Sequence, residues 1–212
     1  MTTNVERYQR IAPLYDFLDG PFERQRYRRL RPMLFEGMSG RLLDAGIGTG
    51  RNCAYYPPES TVTGIDTSPA MLAHARARCP TLAEGGRLYE MDVTDLKFPA
   101  ASFDAAVSSF LFCVLPENQQ VPALRELGRV VKPGGLIRLL EYVRPSGGLR
   151  RAITYLWQPW IAWAYGASYD RHTEQHVPAA GLELVESRFV VADLVKMLTM
   201  RVAERPAALV AP

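Results

Sequence analysis

Short apolar runs alternate along the chain with stretches whose apolar residues return every three or four positions, the marks of buried strands and half-buried helices in turn. Residues 42–43, 61–65, 86–91 and 136–140 read as strands, and 105–115 as a buried parallel strand with its exit loop. Ser68-Pro69 supplies an N-cap and a first-turn proline for a helix running towards Pro80. A second amphipathic helix, 122–131, is closed by Lys132-Pro133-Gly134-Gly135. Ahead of the first strand, residues 22–35 read as a helix with Tyr27, Leu30, Met33 and Leu34 on one face and Arg24, Arg28 and Arg31 on another. At the far end, 182–191 and 194–203 form a hairpin around Asp193, which sets one of the two strands antiparallel to the rest. The alternation predicts an α/β fold: a seven-stranded, mostly parallel sheet with helices on both faces and an antiparallel last strand.

Sheets of this kind bind ligands at the carboxyl ends of their strands. Asp44, Asp66, Asp92, Ser108 and Glu141 all fall there. The first of these ends carries the densest signal. From Asp44 the chain reads Ala45-Gly46-Ile47-Gly48-Thr49-Gly50, with glycine at every second position, where a backbone must bend sharply and let a ligand approach without meeting a Cβ. Residues 51–56 are expected to continue as a helix whose free N–H groups attract the polar end of that ligand. Asp66 follows Gly46 at a spacing suited to an acid receiving two ribose hydroxyls. The dinucleotide fingerprint G-x-G-x-x-G is not met, because the third glycine comes one position early.

Composition narrows the reading. A chain of 212 residues suits one α/β domain with small additions and buries a core without disulfides or metal. Cys53, Cys79 and Cys113, with no CxxC pair, suggest reduced core thiols and a cytosolic home. The polar start lacks the apolar run of a signal peptide, and nothing approaches the ~20 apolar residues of a spanning helix. A net charge of +3 is too small to indicate nucleic acid. Two stretches stand out. Arg24, Arg26, Arg28, Arg29 and Arg31 crowd one helix, either as a solvated face or as a contact with an anionic bilayer. Residues 149–168 gather Tyr155, Trp157, Trp160, Trp163 and Tyr165 around Pro159, either as a lid over an apolar pocket or as aromatics at a bilayer interface. His172 and His176 are spaced to share a helical face, but the metalloprotease pattern places glutamate directly after the first histidine and a third ligand is lacking, so no metal is expected.

The run Asp44-x-Gly46-x-Gly48-x-Gly50, the segment Gly64-x-Asp66-x-Ser68-x-x-Met71-Leu72, Asp92, Phe103-Asp104 and Val130-Val131-Lys132-Pro133-Gly134-Gly135 together resemble class I S-adenosylmethionine-dependent methyltransferases over residues 40–143. The resemblance implies a Rossmann-like sheet, S-adenosyl-L-methionine as cofactor and S-adenosyl-L-homocysteine as product. It implies that Asp44, Gly46 and Gly50 hold the methionine part, Asp66 the ribose hydroxyls, Asp92 with Val93 the adenine, and that Ser108 lines the site near the sulfonium. Tyr8, Gly48, Thr67 and Met71 complete the implied cofactor contacts. Each acid also has a plain reading as a turn or helix cap. Tyr8 to Ala12, Pro13-Leu14-Tyr15-Asp16 and the arginine-rich helix are similar to the entry region of quinone-biosynthesis C-methyltransferases and bacterial phospholipid N-methyltransferases. Leu139-Leu140-Glu141-Tyr142-Val143-Arg144, Trp157-Gln158-Pro159-Trp160 and Asp170-Arg171-x-Thr173 are similar to phospholipid N-methyltransferases and membrane-associated thiol methyltransferases. The chain then divides into a helical, membrane-facing cap (1–36) and a methyltransferase domain (37–212) with an aromatic-rich lid insertion (145–181).

Methyl transfer from a sulfonium is an in-line displacement, in which alignment contributes roughly 7–11 kcal/mol, more than one general base supplies. No obligatory triad or metal is expected. An ammonium nucleophile must first lose a proton, which makes Tyr15, Tyr142 and His172 the candidate catalytic partners. Arg144 and Arg171 are candidates for gripping a substrate phosphate, or equally for surface salt bridges. The expected reaction is N-methylation of phosphatidylethanolamine and its mono- and dimethyl forms at the inner face of an anionic membrane, by a monomer or dimer. Quinone-precursor C-methylation, thiol S-methylation, an inactive S-adenosylmethionine-binding protein and a nucleotide-binding oxidoreductase are the alternatives.

Overall fold

The computed structural model describes residues 27–204. One sheet holds β1 (Arg41–Ala45), β2 (Thr61–Asp66), β3 (Leu88–Glu90), β4 (Phe103–Ser109), β5 (Val131–Tyr142), β6 (Leu182–Val191) and β7 (Val195–Val202), in the order β3-β2-β1-β4-β5-β7-β6. The first five strands pair in parallel, while β7 runs antiparallel to both β5 and β6. The helices are α1 (Arg28–Phe35), α2 (Pro69–Arg78), α3 (Pro80–Glu84), α4 (Glu117–Val130), α5 (Gly148–Tyr165) and α6 (Thr173–His176). The seven-stranded, mostly parallel sheet with a closing hairpin is the one that the hydrophobic pattern predicts.

Successive strand residues point to opposite faces, so the central strands feed two apolar layers. Leu43, Ala45, Ile65, Ala106, Ile137 and Leu139 pack beneath Leu124 and Leu127 of α4. On the other face Leu42, Val62, Val107 and Leu140 pack against Leu30 and Leu34 of α1 and Leu72 and Ala75 of α2. α1 has no side-chain cap of its own. Its terminal carbonyls, which no intrahelical donor reaches, are taken by Arg138 of β5: Nη1 donates to Met33, Leu34 and Glu36 carbonyls at 2.8, 2.9 and 3.0 Å.

Several local expectations are corrected. After the glycine turn only a three-residue 3-10 turn forms, Cys53–Tyr55, so the expected helix of 51–56 and its row of free N–H groups are absent. Pro57-Pro58 follow at once and supply no backbone donors with which to extend it. Lys132-Pro133-Gly134-Gly135 does not form a loop after α4 but lies within β5, where the pairing with β4 slips between Phe103 and Ala105. Pro159 does not interrupt the aromatic segment, since α5 runs through it. Arg31 is not on a solvated arginine face: it is buried, four residues after Tyr27 and three before Leu34, on the side α1 turns to the sheet. Finally, Cys53 and Cys79 are not reduced core thiols. The glycine turn brings them to a Cα–Cα distance of 5.9 Å and they form a disulfide, leaving buried Cys113 as the free cysteine among the described residues.

Among the described residues no helix is long and apolar enough to cross a membrane. Leu127→Ala, which opens a cavity where α4 meets the sheet at a position without solvent exposure, is expected to lower the unfolding free energy by about 2–5 kcal/mol in urea titrations.

Candidate active site

The turn after β1 is held against the end of β2. Gly46 and Ile47 both donate their N–H groups to the Ile65 carbonyl at 2.9 Å. Gly46, Gly48 and Gly50 have φ of +73°, +56° and +79°, a region closed to most side chains. A Cβ on Gly46 would come within 3.1 Å of Leu111, and one on Gly50 within 2.6 Å of Cys79 Sγ. Among the described residues, a Cβ on Gly48 would meet only the Gly46 carbonyl oxygen, at 4.0 Å. The Gly48 N–H donates to Asp66 Oδ2 at 2.9 Å, and the Ser68 N–H to Asp66 Oδ1 at 2.9 Å. Ser68 also caps α2, its hydroxyl accepting from Met71 N at 3.3 Å. Asp66 is thus clamped between the turn and α2 with lone pairs to spare on both oxygens. Burial pushes its carboxyl up to about 6, against the pull of the backbone N–H groups of Ser68 and Gly48.

Beneath the turn lies a buried polar relay. Asp44 is fully buried, and its carboxylate accepts from Asn52 Nδ2 at 3.0 and 3.2 Å and from the Tyr56 hydroxyl at 2.6 Å. Asn52 in turn accepts from Arg31 Nη1 at 2.5 Å. Burial drives the Asp44 carboxyl upward while Tyr56, Asn52 and the Arg31 charge oppose it. Burial and the Asp44 charge push the Tyr56 hydroxyl well up, so it stays a donor. Arg31, Asn52 and Tyr56 were not among the sequence candidates. The helical spacing of Arg31 from Tyr27 and Leu34 is the signal that could have found the first of them.

The remaining cofactor candidates separate. Asp92 is exposed, and its Oδ1 closes a turn by accepting from both the N–H and the hydroxyl of Thr94 at 2.8 Å. Val93 packs into the apolar layer under α4. Ser108 is buried and donates to the Ala45 carbonyl at 2.8 Å, tying β4 to the end of β1. Met71 is buried within α2 and Thr67 is half-buried between Asp66 and the Ser68 cap. Tyr8 and Tyr15 lie outside the described residues.

Beyond β4 the strand ends carry an aromatic cluster. Phe110, held at φ +59°, sits 5.0 Å from Tyr27 and 4.8 Å from Tyr142, and Tyr142 lies 5.9 Å from Tyr169 (ring centroids). The Tyr142 and Tyr27 hydroxyls are hydrogen-bonded to each other. Glu141, the preceding residue, points to the other face, where a cavity also takes in Arg144, Arg171 and His172. Tyr142 and His172 therefore do not converge on one point. Arg144 donates through Nε and Nη2 to Asp170 and stacks 4.0 Å over the Tyr155 ring of α5. Arg171 Nη1 is 3.8 Å from Glu117. Among the described residues no three His, Cys, Asp or Glu side chains gather as a metal site.

A glycine turn without Cβ atoms, clear at Gly48 among the described residues and flanked by a carboxylate with spare accepting capacity, fits a nucleoside bearing vicinal hydroxyls at the ends of β1 and β2. That arrangement on a parallel sheet fits a class I S-adenosylmethionine-dependent methyltransferase. Residues 42–135 match the methyltransferase domain family. The chain is 36% identical over 145 residues, 67% of its length, to the phosphatidylethanolamine N-methyltransferase of Cereibacter sphaeroides, covering 70% of that protein. It is 37% identical over 153 residues to a ubiquinone/menaquinone biosynthesis C-methyltransferase of Syntrophotalea carbinolica, covering 67% of this chain and 62% of that one. A geranyl diphosphate C-methyltransferase from Streptomyces coelicolor, solved with S-adenosyl-L-homocysteine, shares the fold with a TM-score of 0.66 at 13% identity, over 82% of this chain and 80% of that one. The chain belongs to the S-adenosylmethionine-dependent methyltransferases, and S-adenosylmethionine is its cofactor.

Asp66 sets a pH dependence whose sign follows from its raised carboxyl. Between 3.8 and about 6 the folded state binds more protons than the unfolded state, so cofactor-free stability falls as pH rises through that window. Asp66→Asn is expected to remove that fall, gaining about 1–3 kcal/mol over the wild type at pH 7 relative to pH 4 in urea titrations. The same variant is expected to bind S-adenosylmethionine at least about tenfold more weakly in calorimetry, since the hydroxyls lose an ionised acceptor.

Proposed function

We propose that this methyltransferase N-methylates phosphatidylethanolamine and its mono- and dimethyl forms while held peripherally on the inner face of a membrane. The observation that carries the reading is the outer side of α5. Leu149, Leu156 and Trp163 are 78, 79 and 71% exposed, and Ile153, Trp157 and Trp160 are exposed with them. These positions recur at helical spacing, so the apolar stripe faces outward, the reverse of a surface helix packed on its own core. The inner side carries Thr154 and Gln158, the latter donating to the Ala167 carbonyl at 3.1 Å. No acid interrupts residues 148–165, and Arg150 and Arg151 stand at the first turn. Tryptophans with arginines beside them suit an anionic lipid surface. In this reading residues 145–181 act as the lid insertion of the domain, with α5 on the bilayer.

S-adenosylmethionine supplies a methyl group already activated on a sulfonium. The protein has to align the acceptor, exclude water and release the proton of an ammonium. Asp66 would take the ribose hydroxyls, and Gly46, Gly48 and Gly50 would give the methionine part close backbone contact, with Asp44 fixing the turn from below. Asp92 and Val93 would border the adenine, with Val93 contributing through its backbone. The faces of Phe110, Tyr142 and Tyr169 suit the bulkier, more diffuse cation that forms as the headgroup gains methyl groups. Arg144 and Arg171 would hold the phosphate, in a pocket that His172 also lines.

Quinone C-methylation is the second reading, favoured by the identity shared with the quinone-pathway relative and by an aromatic cluster equally able to stack a flat ring. Mass spectrometry of total lipids from a host expressing the protein decides between them. Phosphatidylethanolamine gaining one, two or three methyl groups is expected; an unchanged lipid profile with a methylated quinone would favour the second reading. Membrane contact is tested by flotation with vesicles containing anionic lipid. Leu156→Glu combined with Trp163→Glu is expected to cut the floated fraction at least about tenfold, because each charge opposes burial in the interface.

A further inference from the structure

On the sheet face opposite Tyr142, a cavity of about 210 Å³ lies between β5, β7, Phe189 of β6 and the segment entering α6. Its walls carry both signs of charge: Glu141 and Glu174 against Arg144, Arg171 and Lys196. Much of this charge is satisfied within the protein. Lys196 donates to both Glu174 oxygens at 3.0 and 2.9 Å, and Arg144 is forked onto Asp170. Thr173 Oγ1 stands 2.7 Å from Glu141 Oε2. Three polar atoms on these walls are left over. Among the described residues, Glu141 Oε1, Arg144 Nη1 and Arg171 Nε are buried without a hydrogen-bond partner. Each such orphan is costly, and buried orphans in native folds call for a partner from outside the chain.

The two kinds of orphan specify the ligand. A carboxylate oxygen asks for a donor, preferably cationic, and two guanidinium nitrogens ask for an anionic acceptor that arginine can grip in a fork. A single molecule satisfying both is a zwitterion. The cavity has room for a small polar headgroup.

We propose that this cavity binds the phosphoethanolamine unit, with the primary ammonium on Glu141 and the phosphate on Arg171 and Arg144. The choice of phosphate over carboxylate as the anionic end rests on the acceptor reading above. The unit has two sources, a phosphatidylethanolamine headgroup or free phosphoethanolamine. With the cavity empty, burial pushes the Glu141 carboxyl up to about 8, Glu174 adding to that and Thr173 and Lys196 opposing it. An ammonium at Oε1 acts in the opposite direction and holds the carboxylate ionised. Glu141 is then a specificity-determining residue, separating the amine-bearing phosphate from phosphate alone.

The test is calorimetric titration of the full chain with O-phosphoethanolamine, inorganic phosphate and ethanolamine, without any turnover. Phosphoethanolamine is expected to bind at least about tenfold more tightly than either fragment, the margin of one charge-assisted contact. Glu141→Gln, nearly isosteric, is expected to erase the margin over phosphate, and Arg171→Ala to weaken phosphoethanolamine and phosphate alike. Circular dichroism confirms that both variants are folded, and Arg171→Lys provides a milder probe of the same contact. Wild-type binding that does not discriminate among the three probes, or variants that bind as the wild type does, overturns the proposal. Displacement of phosphoethanolamine by phosphatidylethanolamine vesicles, but not by phosphatidylcholine vesicles, identifies the lipid as the source; displacement by neither identifies the free compound. Methylation of phosphatidylethanolamine with KM unchanged in Glu141→Gln sinks the cavity and leaves the acceptor reading intact. Glu141-dependent binding in an enzyme that does not methylate that lipid does the reverse.

Discussion

A fully buried carboxylate, Asp44, is the constraint on which the cofactor half of the molecule depends. A charge taken out of water is tolerated only where neighbours satisfy it. Here the partners come from two parts of the turn's support: Asn52 and Tyr56 from the segment after the glycines, and Arg31, through Asn52, from α1. The glycine turn therefore has no freedom to lift away from the sheet without orphaning a buried acid. Among the described residues the Cβ directions of Gly46 and Gly50 are filled by Leu111 and Cys79, and only that of Gly48 is left clear. That division lets a ligand lie directly on backbone while the backbone stays rigid.

The sheet divides the work between its two halves. β1, β2 and β3 are parallel and present the turn, Asp66 and the start of α2. The β5–β7–β6 half is joined in antiparallel fashion, and its edge supports the segment 169–173, the Arg144–Asp170 pair and, through Tyr155, the long helix α5. Arg144 links three of these parts, so the position of α5 over the strand ends is coupled to the pocket walls. The exposed apolar stripe of α5 and the polar cavity are built on the same short stretch of chain.

Much of this was legible in the sequence, and the parts that were not have physical reasons. Strand positions, the hairpin and the strand antiparallel to β5 followed from periodicity, because each strand buries one or both faces. The three glycines were legible because backbone conformation dictates them, and Asp44 and Asp66 because each stands at the end of an apolar strand run. The Cys53–Cys79 bridge was not, since it depends on how a turn and a helix end meet in space. Arg31 was misread as surface charge because composition counted it among five arginines, whereas its helical phase put it with Leu34. Glu141 was recognised as lying at a strand end, but its orphaned oxygen is a property of packing, to which sequence gives no access. Ser108 and Val93 carried family expectations into positions where their side chains already have structural work.

Cofactor affinity of Asn52→Leu, measured by calorimetry on folded protein, tests the central claim most directly. The substitution leaves every group on the upper surface of the turn untouched and cuts the link between Arg31 and Asp44. If the turn is held from beneath, S-adenosylmethionine binding weakens by at least about tenfold, the scale of one or two lost buried hydrogen bonds. Affinity equal to that of the wild type would contradict it.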